Sequence, residues 1–472
     1  MHYFDSYWLR YWTDSLGGGA HPHVSAFALP ELSAENQPIH ALRIGTGPAD
    51  GRAVLLVGGM HGDELLPPHL LLSFAARLAA AYAARGPLTF RARSYPFAVV
   101  SALIESLRIY VLPLVNPDGR DYALSVGGDP SWRKNRRLIP GTGQHGVDIN
   151  RNFGFLWEED IGDFTRDPAS ETYEGPAAFS ESETRNVRFL LDQHPEIGCF
   201  IDVHSGHRAV FYPWGHDTVQ TTNPAMSFHN PAYASHGGSY YDGYEEYMPP
   251  DDLARYQRMA TRIADGMRSH RGRSAQTGPA SDAYFHAGTG RDYAYSRHLA
   301  DAGRPKILGF VMELDFNTQP QQDEEAEAQV IEGSIGLTEA LLDFLCPAET
   351  ASRMSGAAPG AVPLFRRLRA EVLAPDERGR RLARFFDEHR GELTRLLLGQ
   401  AERASSWRTP LAAASAAAEK MLRREPVTLD AEALSAVGAA VAALEDAGSP
   451  ALRAALGELR DYILQLDTSG GA

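Results

Sequence analysis

The heptapeptide GGMHGDE at 58–64 sets a histidine and a carboxylate three residues apart, His61 and Glu64, directly after the apolar run AVLLV at 53–57. An imidazole and a carboxylate so spaced are candidate metal ligands. A zinc site that does chemistry takes three ligands from His and Asp or Glu and keeps one position open for water. Only two cysteines, Cys199 and Cys346, are present, too few for a cysteine metal cluster or a disulfide framework. The third ligand is therefore sought at the carboxyl end of another buried strand, where doubly wound sheets place their sites. CFIDVHSGH supplies His204 after the apolar run 199–203. Two neutral imidazoles and one carboxylate leave a Zn2+ site at about +1 overall, enough to lower the pKa of bound water towards roughly 7. Glu313, at the end of ILGFVMEL (307–314), is the candidate base, because a carboxylate in an apolar strand is expensive without a role or a partner. Facing the metal, it can take the water's proton and pass it to a leaving amine. A lone H-x-x-E is common by chance, and a strand-end histidine is more often a hydrogen-bonded polar group than a ligand. Three such features at three strand ends are harder to assign to chance.

These residues need a frame. Up to about residue 346, short apolar runs (53–59, 108–116, 199–204, 307–314) alternate with helix-patterned segments (about 69–85, 180–193, 252–269 and 326–345). That alternation predicts an α/β fold, a mixed but mostly parallel twisted sheet flanked by helices. Residues 214–251, rich in Tyr, Asn, His, Gly and Pro, predict an irregular excursion. Near the start, Phe4, Tyr7, Trp8, Tyr11 and Trp12 recur at helical spacing, which predicts a packed helix face. Beyond Cys346 the composition changes. Residues 347–362 have the small residues, Gly and Pro of a linker. Residues 363–472 repeat leucines at three and four, the pattern of a C-terminal all-α bundle with three to five helices. The expected domains are thus 1–346 catalytic, 347–362 linker and 363–472 helical.

Charge bounds the partners. A formal net charge of −15 over 472 residues opposes general affinity for nucleic acid or anionic membrane. The first 16 residues lack the apolar core of a signal peptide, and a cytoplasmic location is the expectation.

Eight separated motifs give the chain a resemblance to the zinc metallocarboxypeptidases related to carboxypeptidase A. They are HGDE (61–64), NPDG (116–119), WRKNRR (132–137), VDINRNF (147–153), DVHS (202–205), FYPWG (211–215), YFHAGTGRDYAY (284–295) and FVMELDF (310–316). Order and approximate spacing agree over roughly 35–346, apart from the excursion at 214–251. The resemblance implies zinc held by His61, Glu64 and His204, with Glu313 as general base and proton shuttle. It gives Arg133 the scissile carbonyl and oxyanion, and Asn150 and Arg151 the substrate's terminal carboxylate, with Tyr284 closing over it. Asp148 would hold the first histidine ligand's tautomer. Lys134, Arg136 and Arg137 are expected to be surface charge.

The resemblance also places Arg291, just before Asp292, at the base of the pocket that reads the released side chain. A buried cation there favours Glu or Asp. The alternative is that Arg291 points away or pairs permanently with Asp292. After DVHS, Gly206 and His207 stand where the family often has tyrosine, so upstream subsites are expected to differ. Two other functions compete: an aspartoacylase- or desuccinylase-like amidohydrolase acting on a small N-acyl amino acid, and a carboxypeptidase-like binding protein without catalysis. Retention of His61, Glu64, His204 and Glu313 stands against the last. For the C-terminal helices, docking of a protein partner, self-association and cover for the catalytic unit remain alternatives.

Overall fold

The computed structural model describes all residues except 1–2, 49–50, 92, 160, 163–164, 234–236, 240–241, 316–322, 357–360, 400–404, 429, 458–459 and 461–472. Phe316 of FVMELDF, Tyr240 and Tyr241 of the excursion, residues 357–360 of the expected linker and Leu464 of the last leucine set lie outside the described residues. The chain divides into two compact units, one of residues 1–100 and 107–340, the other of 101–106 and 341–472.

In the first unit eight strands form one mixed sheet: β1 (Val24–Ala28), β2 (His40–Ile44), β3 (Arg52–Gly58), β4 (Leu107–Leu112), β5 (Ile197–Gly206), β6 (Ala209–Tyr212), β7 (Gln276–Pro279) and β8 (Leu308–Asp315). Their order across the sheet is β1-β2-β4-β3-β5-β8-β6-β7. The middle four, β4-β3-β5-β8, run parallel, and their near-continuous apolar sequences fit burial on both faces; Ala53 to Val57 are wholly buried. Antiparallel pairings join β1 to β2, β2 to β4 and β8 to β6. The helices of this unit include α1 (Ser6–Gly17), α2 (Leu66–Ala83), α4 (Pro117–Leu124), α5 (Ser182–Gln193), α6 (Pro250–Arg271), α7 (Gly290–Ala300) and α8 (Asp323–Leu342); α3 (Phe97–Ser106) runs into the second unit. One core cluster gathers Leu55, Val57, Tyr110, Leu112, Phe153, Val187, Leu190 and Phe200 from strands, loop and α5.

Register decides where the chemistry sits. Gly58 pairs with Val203, and His204 pairs with Glu313. Because β3, β5 and β8 are parallel neighbours, their carboxyl ends share one edge, and His61, His204 and Glu313 come with them.

Three expectations are corrected. The α1 aromatics do not form the packed face: Tyr7, Trp8, Tyr11 and Trp12 are 46–56% exposed, while Ser6, Leu9 and Thr13 are buried. The inward face is tied down by hydrogen bonds from the Ser6 backbone N–H and hydroxyl to Asp121, buried Thr13 returns its hydroxyl to the Leu9 carbonyl of the same helix, and the aromatics stack edge to face on one another outside. The segment 347–362 is not a plain linker, since Pro347–Ser355 forms helix α9. Its Pro stands in the first turn, its Gly356 ends it at φ 64°, and Ala351 joins the second unit's core, so the helix breakers mark ends rather than a loop. The excursion at 214–251 is partly ordered by a short parallel pair, Val219–Gln220 with Glu246–Tyr247, around buried Glu246, which accepts from Tyr244 and contacts His216 Nε2 at 3.0 Å.

The second unit is helical, with α10 (Ala361–Leu368), α11 (Glu377–Gly399), α12 (Arg408–Leu422) and α13 (Ala431–Ala447). Leu393, Leu397, Trp407, Leu411, Val441, Leu444, Leu452 and Leu456 make its core. No described helix is long and apolar enough to cross a membrane.

Candidate active site

His61, Glu64 and His204 converge at the shared strand edge, all buried, with ligand atoms within 4.8 Å of one another. Glu64 lies between the rings, Oε1 2.6 Å from His61 Nδ1 and Oε2 2.9 Å from His204 Nδ1; the two Nδ1 atoms are 3.1 Å apart. Each far nitrogen has its own carboxylate, His61 Nε2 at 3.2 Å from Asp148 and His204 Nε2 at 2.7 Å from Asp202. With Nε2–H donated outward, both Nδ1 lone pairs face Glu64, a donor set suited to a small cation. The electrostatics agree. Burial pushes His204 down, yet Asp202 and Glu64 more than offset it and hold the imidazole well above its usual value. Burial likewise opposes ionisation of Glu64, which the two histidines hold well below the carboxylate range. The cluster is built for added positive charge.

Glu313 stands beside this set on β8. Its Oε2 is buried without a hydrogen-bond partner among the described residues, and burial, with Glu64 adding repulsion, pushes its pKa up to about 7 against the pull of His204. A carboxylate poised there can both accept and return a proton near neutrality.

Arg133 arrives on the loop after α4. Its Nε donates to Asp148 Oδ2 at 2.9 Å, and Nη1 lies 3.9 Å from Glu64, so Asp148 holds the first histidine and the arginine together. Loop packing is tight. Asn116 Nδ2 donates to the Met60 and Lys134 carbonyls, both at 3.1 Å, while its Oδ1 accepts from Gly119 N. Gly62 N donates to the Arg133 carbonyl, and a Cβ on Gly62 would fall 2.5 Å from Gly119 and 2.7 Å from the Trp132 carbonyl oxygen. HGDE, NPDG and WRKNRR therefore close on one another. Lys134 is buried rather than surface charge, its Nζ donating to the Pro168 and Ser170 carbonyls; Arg137 pairs with buried Glu181 at 2.6 Å, and Arg136 stacks over Tyr122 and Trp132.

Arg151 is buried, with Nη1 on the Asn150 carbonyl (2.8 Å) and Nη2 on the Tyr284 hydroxyl (2.9 Å). Tyr284 is 46% exposed and so free to meet a ligand. The Asn150 side chain is engaged: Oδ1 accepts from Gly290 N, and Nδ2 lies 3.3 Å from Asp202 and 3.1 Å from His204 Nε2. Arg291 is buried and pairs side-on with Asp292, Nε at 2.9 Å and Nη2 at 2.8 Å. The pairing alternative weighed from the sequence is thus the arrangement found.

Sequence reasoning passed over Asp202, Asn116 and His286. Asp202 precedes His204 by two residues on one strand, and the two-residue period puts both on one side; that signal was available in DVHS.

Two buried histidines and a carboxylate able to hold a metal ion at parallel strand ends, with a second carboxylate alongside, are the arrangement of a metal-dependent hydrolase. A family model described as zinc carboxypeptidase matches residues 19–328. Carboxypeptidase B of Astacus astacus is 27% identical over 318 residues, 65% of this chain and 89% of that protein. An inactive metallocarboxypeptidase of Arthroderma otae is 29% identical over 197 residues, 39% of this chain and 30% of that protein. The crystal structure of carboxypeptidase A from Helicoverpa armigera superposes with a TM-score of 0.54 at 21% identity, covering 72% of this chain and 73% of that one. The chain belongs to the zinc carboxypeptidase family, whose catalytic cofactor is zinc and whose active members hydrolyse peptide bonds.

Proposed function

We propose that the chain releases one amino acid from the C-terminus of a peptide, with a preference for Glu or Asp there. The buried His61–Glu64–His204 set with Glu313 beside it carries this reading. An inactive relative shows that family membership alone does not make a catalyst; the intact donor set and base support the active reading here. His61, Glu64 and His204 would hold the zinc, which would supply Lewis acidity to the scissile carbonyl and the attacking water. Glu313 takes the water's proton and returns it to the leaving amine. Arg133, oriented by Asp148, meets the charge that grows on the carbonyl oxygen. Arg151 with Tyr284 grips the terminal carboxylate, and the Asn150 carbonyl holds the Arg151 guanidinium in place.

Support for acidic preference comes from Arg291. Asp292 uses its Nε and Nη2 edge, but Nη1 has no partner among the described residues. Tyr284, His286 and Arg291 form a continuous contact chain from the carboxylate clamp, with rings 4.5 Å apart and then a 3.2 Å hydrogen bond. The test is a panel of blocked dipeptides ending in Glu, Asp, Gln, Leu, Phe and Lys. Glu and Asp should be released fastest. Fastest release of Lys, or equal rates throughout, would remove the acidic preference and leave the hydrolase reading standing.

A further inference from the structure

His286 is buried five residues before Arg291 and does no chemistry in the account above. Its two nitrogens are both engaged. Nδ1 lies 2.8 Å from the Tyr284 carbonyl oxygen, which can only accept, so Nδ1 carries the proton. Nε2 is then a lone pair, and it accepts from Arg291 Nη2 at 3.2 Å. Burial, together with Arg291 and Arg151, holds the imidazole pKa well below its usual value, which keeps that lone pair available.

The guanidinium is consequently fixed on three sides. Asp292 accepts from Nε and Nη2, His286 accepts the second Nη2 proton, and Thr289 Oγ1 stands 3.5 Å from the same nitrogen. Asp292 is itself held by Gly215 N at 3.1 Å and by Thr289 Oγ1. Gly215 must be glycine for these groups to meet, since a Cβ there would fall 2.3 Å from Arg291 Nη2 and 2.9 Å from both Asp292 Oδ2 and His286 Nε2. Among the described residues, Nη1 alone of the guanidinium nitrogens has no hydrogen-bond partner.

We propose that His286 is a positioning residue for substrate specificity: it ties the Tyr284 backbone to the Arg291 guanidinium and so presents Nη1 as the donor that reads the side chain of the released residue. The inference rests on the proposed acidic preference and sharpens it. A guanidinium already neutralised by Asp292 selects by a directed hydrogen bond more than by bare charge, so its orientation matters.

The experiment compares the zinc-loaded parent with Arg291→Leu, His286→Ala and His286→Gln on blocked dipeptides ending in Glu and in Leu. His286→Ala should lower the Glu:Leu ratio of kcat/KM by about tenfold, mainly through KM for the Glu substrate. Gln can accept from Nη2 and donate to the Tyr284 carbonyl, so His286→Gln should restore most of the ratio. Arg291→Leu should collapse the ratio. If Arg291→Leu does so while both His286 variants keep the parental ratio, the His286 inference is overturned and the acidic pocket survives. An unchanged ratio in Arg291→Leu overturns the acidic reading, and the His286 inference with it. Equal losses on both substrates in His286→Ala, without rescue by Gln, assign His286 a structural role and also overturn the proposal.

Discussion

Glu313 and Glu64 are two carboxylates at one strand edge with oppositely shifted acidities. Glu64 is drawn down by two histidines, and Glu313, whose Oε2 is buried without a partner, is pushed up to about 7. Replacing Glu313 by Gln removes the base and leaves the ligands, so zinc content should hold while turnover falls by about 10²–10⁴-fold; turnover near the parental rate would show that another group moves the proton. Asp202→Ala takes the carboxylate from His204 Nε2 and should weaken zinc binding by about 10–100-fold, read by competition with a chromophoric chelator. An unchanged affinity would make Asp202 merely structural. The meeting of the candidate ligands His61, Glu64 and His204 was legible in the sequence because they stand just beyond or at the ends of apolar runs. The state of Arg291 was not: its charge is visible in the sequence, but its partners depend on Gly215 and His286 meeting it in space.

Among the elements, the loops that carry the ligands depend on Asn116. Its side chain makes three hydrogen bonds that tie the loop after β3 to the start of α4 and to the Arg133 loop. Asn116→Ala leaves the Met60 and Lys134 carbonyls without those donors and should cost about 2–4 kcal/mol, measured by chemical denaturation. A loss below about 1 kcal/mol would mean that the loops hold without it. The central parallel strands were readable as continuous apolar runs. Strands β1, β2, β6 and β7 were not, because each is only four or five residues long, too short for a run to register, even though β6 is buried at all four positions. In α1 the helical period was legible but the buried face was not, because it is anchored by hydrogen bonds from Ser6 to Asp121, 115 residues away in sequence. Small residues, Gly and Pro at 347–362 likewise mark helix ends as well as linkers.

The whole molecule adds a pH dependence of stability. Glu183, in the first turn of α5, is fully buried; burial and then the neighbouring Glu181 raise its pKa from about 4.5 to about 7. The unfolded chain releases this proton near 4.5 and the native state only near 7. Stability is therefore greatest below about 4.5 for this group and falls as pH rises to 7, by roughly 3 kcal/mol. Glu183→Gln should remove that fall, so its melting temperature relative to the parent should rise between pH 5 and pH 8. A difference that does not change with pH would show that Glu183 ionises normally. The helical nature of the C-terminal unit was legible from leucine spacing, whereas its inclusion of Ser101–Ser106 was not, since no local pattern reports a long-range packing partner.

The most direct experiment is amino-acid release from a blocked peptide by protein carrying one zinc per chain, before and after chelation and again after zinc is restored. The expected result is release of the C-terminal residue alone, lost with the metal and regained with it. No release from the zinc-loaded protein across all C-terminal residues, or release indifferent to chelation, would contradict it.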